Sequence, residues 1–259
     1  MIEFIRERTA DGVTERLFDL EVAGERVPAV IWAPEGARGA RPLICMGHGG
    51  SQHKKIGSLA ARARIYAQKF GYATLAIDAP EHGDRISREE AAELAREVGA
   101  RVRGEPGATR LTPERMKAMV ERAQIAVPEW KAALTAAQSF EFVGAHERIG
   151  YWGVSMGTTI GVPFVAREPR IKCAVFGLNG LRPGNEILER AANEIAIPIE
   201  FVFQWEDAVA SREAGVALFN AFGAKEKTMH INPGGHLDIP IFEGASWERF
   251  FVRHLGTAD

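Results

Sequence analysis

Short, mostly apolar segments alternate with longer amphipathic segments along most of this 259-residue chain. Two of the apolar segments, residues 42–46 and 72–77, enclose a helical pattern at 54–70. Strands that are apolar throughout are buried on both faces, as in a parallel sheet with helices on each side. Further strands are expected near 148–154, 171–177, 198–204 and 227–231, and further helices near 156–167, 185–194, 211–222 and 246–255. The sequence therefore predicts an α/β fold with a doubly wound, mostly parallel sheet.

The first forty residues follow a different pattern. Apolar and polar residues alternate over 15–22 and 27–32, with Gly24 and Glu25 between the two segments. This alternation predicts an antiparallel hairpin at one edge of the sheet. No linker or internal repeat divides the chain, so a single domain is expected over residues 1–259.

A long segment interrupts the alternation of strands and helices. About seventy residues lie between the second and third apolar strands, far more than a simple crossover needs. Ser87 begins a helix with a capping box, and Thr112 caps another helix that has proline in its first turn. A third helix is expected to begin at Pro128. The first two helices, over about 86–127, are predicted to form a small, lid-like insertion above the sheet.

The insertion carries two groups of side chains that bear on binding. Its arginines either contact an anionic substrate or form a solvated face, and the glutamates interspersed with them favour the solvated face. They are Arg85, Arg88, Arg96, Arg101, Arg103, Arg110, Arg115 and Arg122. Four apolar residues are candidates for a pocket wall, although packing in the helical core is the favoured role of each. They are Met116, Met119, Ile125 and Trp130.

Composition narrows the class of protein. The formal net charge is -2, so the chain lacks the basic character of a nucleic-acid-binding protein. No run of 18 uncharged apolar residues is present, and no membrane association is expected. Cys45 and Cys173 lie in apolar strand-like segments, which favours buried, reduced thiols over a disulfide. Because residues 1–7 lack the pattern of a signal peptide, a cytoplasmic location is expected.

A serine lies between two glycines where a predicted strand gives way to a predicted helix. The segment is Gly153-Val154-Ser155-Met156-Gly157. A strand, a sharp turn centred on serine and a helix form the context in which G-x-S-x-G exposes a nucleophile. Side chains at either glycine position would collide with the neighbouring strand and helix. Ser155 is therefore the candidate nucleophile.

A serine hydroxyl needs a base to accept its proton and a third group to hold that base. His236 is the candidate base, because it lies in a glycine-rich loop directly after the last predicted strand. The orienting acid is expected after the strand near 198–204, where Asp207 is the prediction and Glu206 the alternative. Asp238 is expected to act only within its own loop. His48 and His82 are predicted to shape loops, and packing or surface roles are expected for His53, His146, His230 and His254.

The reaction also needs N–H groups that stabilise a negatively charged oxygen. One is expected from the backbone of Met156, at the N-terminus of the helix after the serine. The other is expected from the glycine-rich turn after the strand at 42–46, with Gly50 as the prediction and Gly49 as the alternative. Phosphate binding is disfavoured for this turn, which lacks both the P-loop spacing and the G-x-G-x-x-G pattern.

Together these segments resemble the α/β-hydrolase superfamily. The resemblance rests on residues 48–50, 78–83 and 153–157, followed by Asp207 and His236 in the order typical of that superfamily. It implies ester hydrolysis through an acyl-enzyme, with Ser155, His236 and Asp207 as the catalytic triad. It also implies a small-molecule ester substrate and no cofactor or metal.

A finer resemblance concerns residues 198–222, which are similar to the dienelactone-hydrolase-like branch. Dienelactone hydrolases proper usually carry a cysteine nucleophile, so Ser155 departs from them and resembles the esterases of the branch. The segment from Asp78 to Gly83 matches a D-x-x-x-H-G loop whose role in the superfamily is mainly structural.

Other functions remain open at this point. A peptidase or an acyltransferase would use the same three residues, and a non-catalytic binding protein would share the fold. A dehalogenase is disfavoured because it carries aspartate where this chain has Ser155. A binding protein has no physical need for all three of Ser155, Asp207 and His236, so ester hydrolysis is the leading prediction.

Overall fold

The computed structural model describes residues 2–108, 112–145 and 148–258. Within these residues, nine strands form one sheet. In chain order they are β1 (Arg6–Ala10), β2 (Val13–Val22), β3 (Glu25–Pro34), β4 (Leu43–Gly47), β5 (Ala73–Ile77), β6 (Ile149–Gly153), β7 (Ile171–Gly177), β8 (Ile199–Gln204) and β9 (Lys227–Asn232). Their order across the sheet is β1-β2-β3-β5-β4-β6-β7-β8-β9.

Helices connect the strands and cover both faces of the sheet. They are α1 (Gly57–Phe70), α2 (Arg88–Val102), α3 (Pro113–Gln138), α4 (Met156–Ala166), α5 (Glu186–Glu194), α6 (Arg212–Ala221) and α7 (Glu243–Leu255), with a 3₁₀ turn at Gly83–Arg85. Helices α1 and α7 share one apolar core with the sheet, while α3, α4, α5 and α6 share the other. None of the described helices combines the length and apolar character needed to cross a lipid bilayer.

The pairing of the strands confirms the predicted fold class. Strands β1, β2 and β3 pair with one another in antiparallel fashion, and β3 also pairs antiparallel with β5. From β5 across to β9, all neighbours are parallel. The parallel strands therefore end at one common edge, where the loops after β4, β6, β7, β8 and β9 meet.

Strand β1 was not expected from the sequence. Its residues Arg6 to Thr9 are exposed, and the strand lies at the edge of the sheet. An edge strand with no buried face lacks the alternation of apolar and polar residues on which such predictions depend. The predicted hairpin of β2 and β3 is confirmed.

The prediction of a separate helix beginning at Pro128 is wrong. Helix α3 runs without a break from Pro113 to Gln138, with Pro128 in its interior. Proline removes the N–H that would bond to the carbonyl of Gln124. Both Pro128 and Gln124 are exposed, so water can satisfy that carbonyl. The buried side of the helix, which includes Trp130, holds it against the core.

Helix α1 begins three residues later than expected, at Gly57. The backbone N–H of Lys54 and its ammonium group both donate to the Asp78 carboxylate, at 2.8 and 2.7 Å. These bonds hold residue 54 in a turn before the helix. His53 lies in this turn as well. His146 lies outside the described residues, as do residues 109–111 of the predicted insertion, Arg110 among them.

Candidate active site

Ser155 lies in a sharp turn between β6 and α4. Its φ is 57° and its ψ is -117°, a conformation that costs a residue with a side chain about 1–3 kcal/mol. The Ser155 N–H donates to the carbonyl of Gly177 at 2.9 Å, and the Asn179 side-chain amide donates to the Ser155 carbonyl at 2.9 Å. The end of β7 therefore holds the strained residue in place.

The two glycines of the motif are required by close packing. A Cβ at Gly153 would lie 2.7 Å from the Tyr151 hydroxyl, and a Cβ at Gly157 would lie 2.7 Å from the carbonyl oxygen of Gly47. Neither backbone position leaves space for a methyl group. The turn thus brings β6, β4 and α4 together as closely as the sequence predicts.

Ser155, His236 and Asp207 form a continuous chain of hydrogen bonds. The Ser155 Oγ lies 3.0 Å from Nε2 of His236, and Nδ1 of His236 lies 2.8 Å from Oδ2 of Asp207. The side chains of His236 and Asp207 are 3% and 0% exposed. The other oxygen of Asp207 accepts from the backbone N–H groups of Val209 and Ala210. The carboxylate is therefore fixed on both sides and protected from water.

Two other acidic side chains near His236, those of Glu206 and Asp238, accept hydrogen bonds from backbone N–H groups. Glu206 accepts from the N–H of Gly234, and Asp238 accepts from the N–H of Gly235 at 2.7 Å. Both carboxylates thus hold the loop that carries His236 without contacting its ring. Asp207 is the carboxylate that meets His236.

The backbone N–H groups of Met156 and Gly50 lie near Ser155 and have no acceptor among the described residues. Met156 is the first residue of α4, and Gly50 borders the cavities that contain Ser155. The N–H of Gly49 donates to the Gln52 side chain at 3.0 Å and is occupied. The arrangement therefore favours Gly50 over Gly49 as the second donor to an oxyanion.

Comparison with solved structures finds a relative that matches nearly end to end. A cold-adapted esterase from an Arctic intertidal metagenomic library, in a polyethylene-glycol-bound complex, is 32% identical to this chain. The match covers 98% of this chain and 99% of that chain, with a TM-score of 0.81. The chain belongs to the α/β-hydrolase superfamily.

More distant structures share the fold of this hydrolase. An acetyl xylan esterase from Paenibacillus sp. R4 is 17% identical, with a TM-score of 0.73 over 98% of this chain and 88% of that chain. An acylaminoacyl peptidase from Pyrococcus horikoshii is 14% identical, with a TM-score of 0.67 over 96% of this chain and 43% of that chain. The sequence matches no protein-family model and no curated protein.

The His48 ring forms hydrogen bonds that stabilise the turn that carries Gly50. Its Nε2 accepts from the N–H of Ala79 at 3.0 Å, so the ring proton is on Nδ1, which donates to the Gly49 carbonyl at 2.9 Å. Burial lowers the pKa of His48 to about 4. The imidazole is therefore neutral at physiological pH and connects the loops after β4 and β5. Its predicted role in shaping a loop agrees with these contacts.

This burial gives the hydrolase a defined dependence of stability on pH. The pKa of His48 is about 6.5 in the unfolded chain and about 4 in the folded one. Burial of the neutral ring therefore contributes fully to the free energy of unfolding above pH 6.5, and this contribution is lost as the pH falls toward 4. In His48→Gln, the side-chain oxygen can still accept from Ala79 but cannot titrate. We expect the loss of unfolding free energy between pH 7 and pH 4 to be about 3 kcal/mol smaller than in the wild type. Urea unfolding of both proteins at pH 7 and pH 4 measures these losses. Equal losses in the wild type and in His48→Gln would contradict the prediction.

Two cavities meet at Ser155, and residues from distant parts of the chain line both of them. The insertion-side cavity, of about 310 Å³, is lined by Leu94, Arg101, Met116, Met119, Asn179 and Arg182 among others. The α7-side cavity, of about 520 Å³, is lined by Leu59, Arg62, Trp152, Ile239 and Trp247 among others. Ser155 and His236 border both cavities, so either one can receive part of a substrate.

The proposed pocket-wall residues divide into two groups. Met116 and Met119 line the insertion-side cavity. Ile125 is exposed, and Trp130 is buried in the core, where it stacks on Phe164 with ring centroids 5.6 Å apart. Only the first two therefore face the space beside Ser155.

The arginines near this cavity also divide into two groups. Arg115 forms an ion pair with Glu97, and Arg122 forms one with Glu81. Arg101 has no hydrogen-bonded or ionic partner in the part of the chain that the structure describes, and Arg182 donates to the carbonyl of Val209. Burial lowers the pKa of both Arg101 and Arg182. Two cations thus face a partly desolvated space next to Ser155.

Two residues at this site, Asn179 and Arg182, were not predicted from the sequence. Asn179, which supports the Ser155 turn, lies two residues after the end of β7, at the edge where the other site residues lie. A polar residue two positions after a predicted parallel strand was the available signal. Arg182 comes from the same loop, but its proximity to Arg101 depends on how the insertion folds back.

Proposed function

We propose that this hydrolase cleaves carboxylic esters of small molecules through an acyl-enzyme intermediate, with Ser155, His236 and Asp207 as its catalytic triad. The observation that carries the proposal is the hydrogen-bonded chain from the Ser155 Oγ to the buried Asp207 carboxylate. The relative that is 32% identical over nearly its whole length is itself described as an esterase.

The geometry supports each step of this reaction. His236 Nε2 accepts the proton of Ser155 as its Oγ attacks the ester carbonyl, and Asp207 stabilises the imidazolium that forms. The N–H groups of Met156 and Gly50 stabilise the oxyanion of the tetrahedral intermediate. His236 then protonates the leaving alcohol. Water, activated by the same imidazole, finally hydrolyses the acyl group from Ser155 and restores the enzyme.

Peptidase and acyltransferase activities would use the same residues and are the alternatives. Ser155 is partly exposed, so water reaches an acyl group attached to it, which favours hydrolysis over transfer to another acceptor. The peptidase with the same fold is 14% identical, a level that supports only the fold. Membership of the dienelactone-hydrolase-like branch is part of the proposal and is supported by the similarity of residues 198–222.

The two half-buried arginines favour esters that carry negative charge. Arg101 and Arg182 lose hydration in the insertion-side cavity, and an anionic group on the substrate would compensate for that loss. Apolar neighbours such as Met116 and Met119 would contact the carbon chain of the same substrate. A panel of esters that varies chain length and charge, including half-esters of dicarboxylic acids, measures this preference.

The proposal includes a single domain in which residues 86–127 act as a lid-like wall of the substrate site. Helix α2 contributes Leu94, Val98 and Arg101 to the insertion-side cavity, which supports that role. A cytoplasmic location is also proposed, and the free, buried thiols of Cys45 and Cys173 fit a reducing compartment.

A fluorophosphonate probe tests the proposed nucleophile. Its phosphorus resembles the tetrahedral centre that Ser155 would form, so we expect one label per chain, located at Ser155 by peptide mass spectrometry. Labelling should abolish hydrolysis of a p-nitrophenyl short-chain ester in the same proportion. Folded protein that remains unlabelled and does not hydrolyse the ester would support a binding protein instead.

A further inference from the structure

A second group of polar side chains lies on the sheet away from Ser155. It consists of Glu200 on β8, His230 on β9 and Glu243, the first residue of α7. His230 pairs with Val202, two residues after Glu200, so Glu200 and His230 extend from the same face of the sheet. Glu200 lies four residues before the end of β8, which is roughly 13 Å along the strand from the edge where the triad lies. The group is therefore separate from the proposed active site.

The ligand atoms of these three residues fit the size of a metal ion. Nδ1 of His230 lies 2.9 Å from Oε2 of Glu243 and 3.7 Å from Oε1 of Glu200, and the three atoms all lie within 4.8 Å of one another. An ion with bonds of about 2.1 Å separates its ligand atoms by about 3.0 Å at right angles and about 3.4 Å in a tetrahedron. The 2.9 Å contact between His230 and Glu243 is a hydrogen bond, so an ion would replace the shared proton and release it to solvent. Small side-chain adjustments would then bring all three atoms into one coordination sphere.

Glu200 provides an independent indication of a missing ligand. The residue is 5% exposed, yet its Oε1 has no hydrogen-bond partner within the described residues. A buried carboxylate oxygen without a donor is costly, and His230 at 3.7 Å is too distant to supply one. A cation between Glu200, His230 and Glu243 would satisfy this oxygen.

The surroundings of the group support metal binding. The second oxygen of Glu243 accepts from the Asn232 side-chain amide at 2.9 Å, which fixes the orientation of the carboxylate. His230 is 34% exposed and borders a cavity of about 230 Å³, through which an ion and its water ligands can enter. Arg253, at the rim of this cavity, is paired with Glu226 at 2.9 Å. Arg249 also lines the cavity, and its one positive charge leaves the two carboxylates in excess.

We propose that Glu200, His230 and Glu243 bind a divalent transition-metal ion of the Zn²⁺ or Mn²⁺ type. Neutral imidazole and carboxylate are ligands that these ions accept. The position of this metal site links it to the proposed active site. Residues 233–242, which include His236, connect β9 to α7, and the ion would join His230 before this loop to Glu243 after it. The metal would therefore fix both ends of the loop that carries His236.

Titration of chelator-treated full-length protein with ZnCl₂ or MnCl₂ tests the proposal. We expect one ion per chain by isothermal titration calorimetry, and a rise in Tm of about 5 °C or more when the free ion is 100-fold above its Kd. Amide hydrogen exchange in residues 233–242 should slow on addition of the ion. Absence of binding at millimolar ion would overturn the proposal.

Two matched variants locate the site. Glu200→Gln retains the shape of the side chain but removes a charged ligand, and we expect its affinity to fall at least 10-fold. Glu226→Gln removes a carboxylate at the same cavity but outside the cluster. It also frees the exposed charge of Arg253, so we expect its affinity to fall by no more than about threefold. Equal affinities in all three proteins would overturn the assignment. If Glu200→Gln does not fold, anomalous scattering from a wild-type crystal grown with Zn²⁺ decides the matter, because an ion bound at other residues contradicts the proposal.

Discussion

Replacement of Ser155 by alanine is expected to lower kcat/KM for a p-nitrophenyl short-chain ester by a factor on the order of 10³ or more. The Ser155 Oγ is the atom that lies 3.0 Å from Nε2 of His236, so its removal leaves the imidazole without a nucleophile to activate. Alanine has the same Cβ as serine and tolerates the φ of 57° equally. The substitution should therefore remove activity without unfolding the protein, which circular dichroism and thermal unfolding can verify.

A second serine provides the control for this experiment. Ser139 is exposed at the C-terminal end of α3 and borders neither of the two cavities that meet at Ser155. Ser139→Ala should retain activity within about threefold, as is usual for surface substitutions. Unchanged hydrolysis in Ser155→Ala would show that another group attacks the ester, and the proposed triad would have to be abandoned.

Much of the architecture follows from local sequence patterns. Most of the parallel strands are short and apolar, although β9 is more polar, and β4 to β9 were predicted within one or two residues. The proximity of Asp207 and His236 was predictable because each follows a strand of the parallel sheet, and the carboxyl ends of parallel strands share one edge. Strand β1 had no apolar face to reveal it, and the packing of α3 outweighed the tendency of Pro128 to break a helix.

Contacts between distant segments were not predictable in this way. Arg101 and Arg182 face one cavity because α2 folds back over the loop after β7, and no local pattern encodes that return. The proximity of Glu200 and His230 depends on the register of β8 and β9. A shift of one residue would place His230 on the opposite face of the sheet, so only the three-dimensional structure reveals the cluster.

Asp207→Asn is expected to lower kcat by a factor on the order of 10³ to 10⁴ while KM changes little. In the wild type, one carboxylate oxygen accepts from the N–H groups of Val209 and Ala210, and the other accepts from His236. Asparagine can satisfy the two backbone donors only with its carbonyl oxygen, which turns its NH₂ group toward Nδ1 of His236. That nitrogen must then accept, so the ring proton moves to Nε2. An Nε2 that carries a proton cannot take the proton of Ser155.

The neighbouring acid distinguishes this mechanism from a general effect of charge. Glu206→Gln removes the same charge one residue away, while its side-chain oxygen can still accept from the N–H of Gly234. We expect this variant to retain kcat within about threefold, because Glu206 does not contact His236. The rate of fluorophosphonate labelling should fall in Asp207→Asn but not in Glu206→Gln, since labelling needs the same activated hydroxyl. A larger loss in Glu206→Gln than in Asp207→Asn would assign the orienting role to Glu206, whose carboxylate would then have to leave the Gly234 N–H during the reaction.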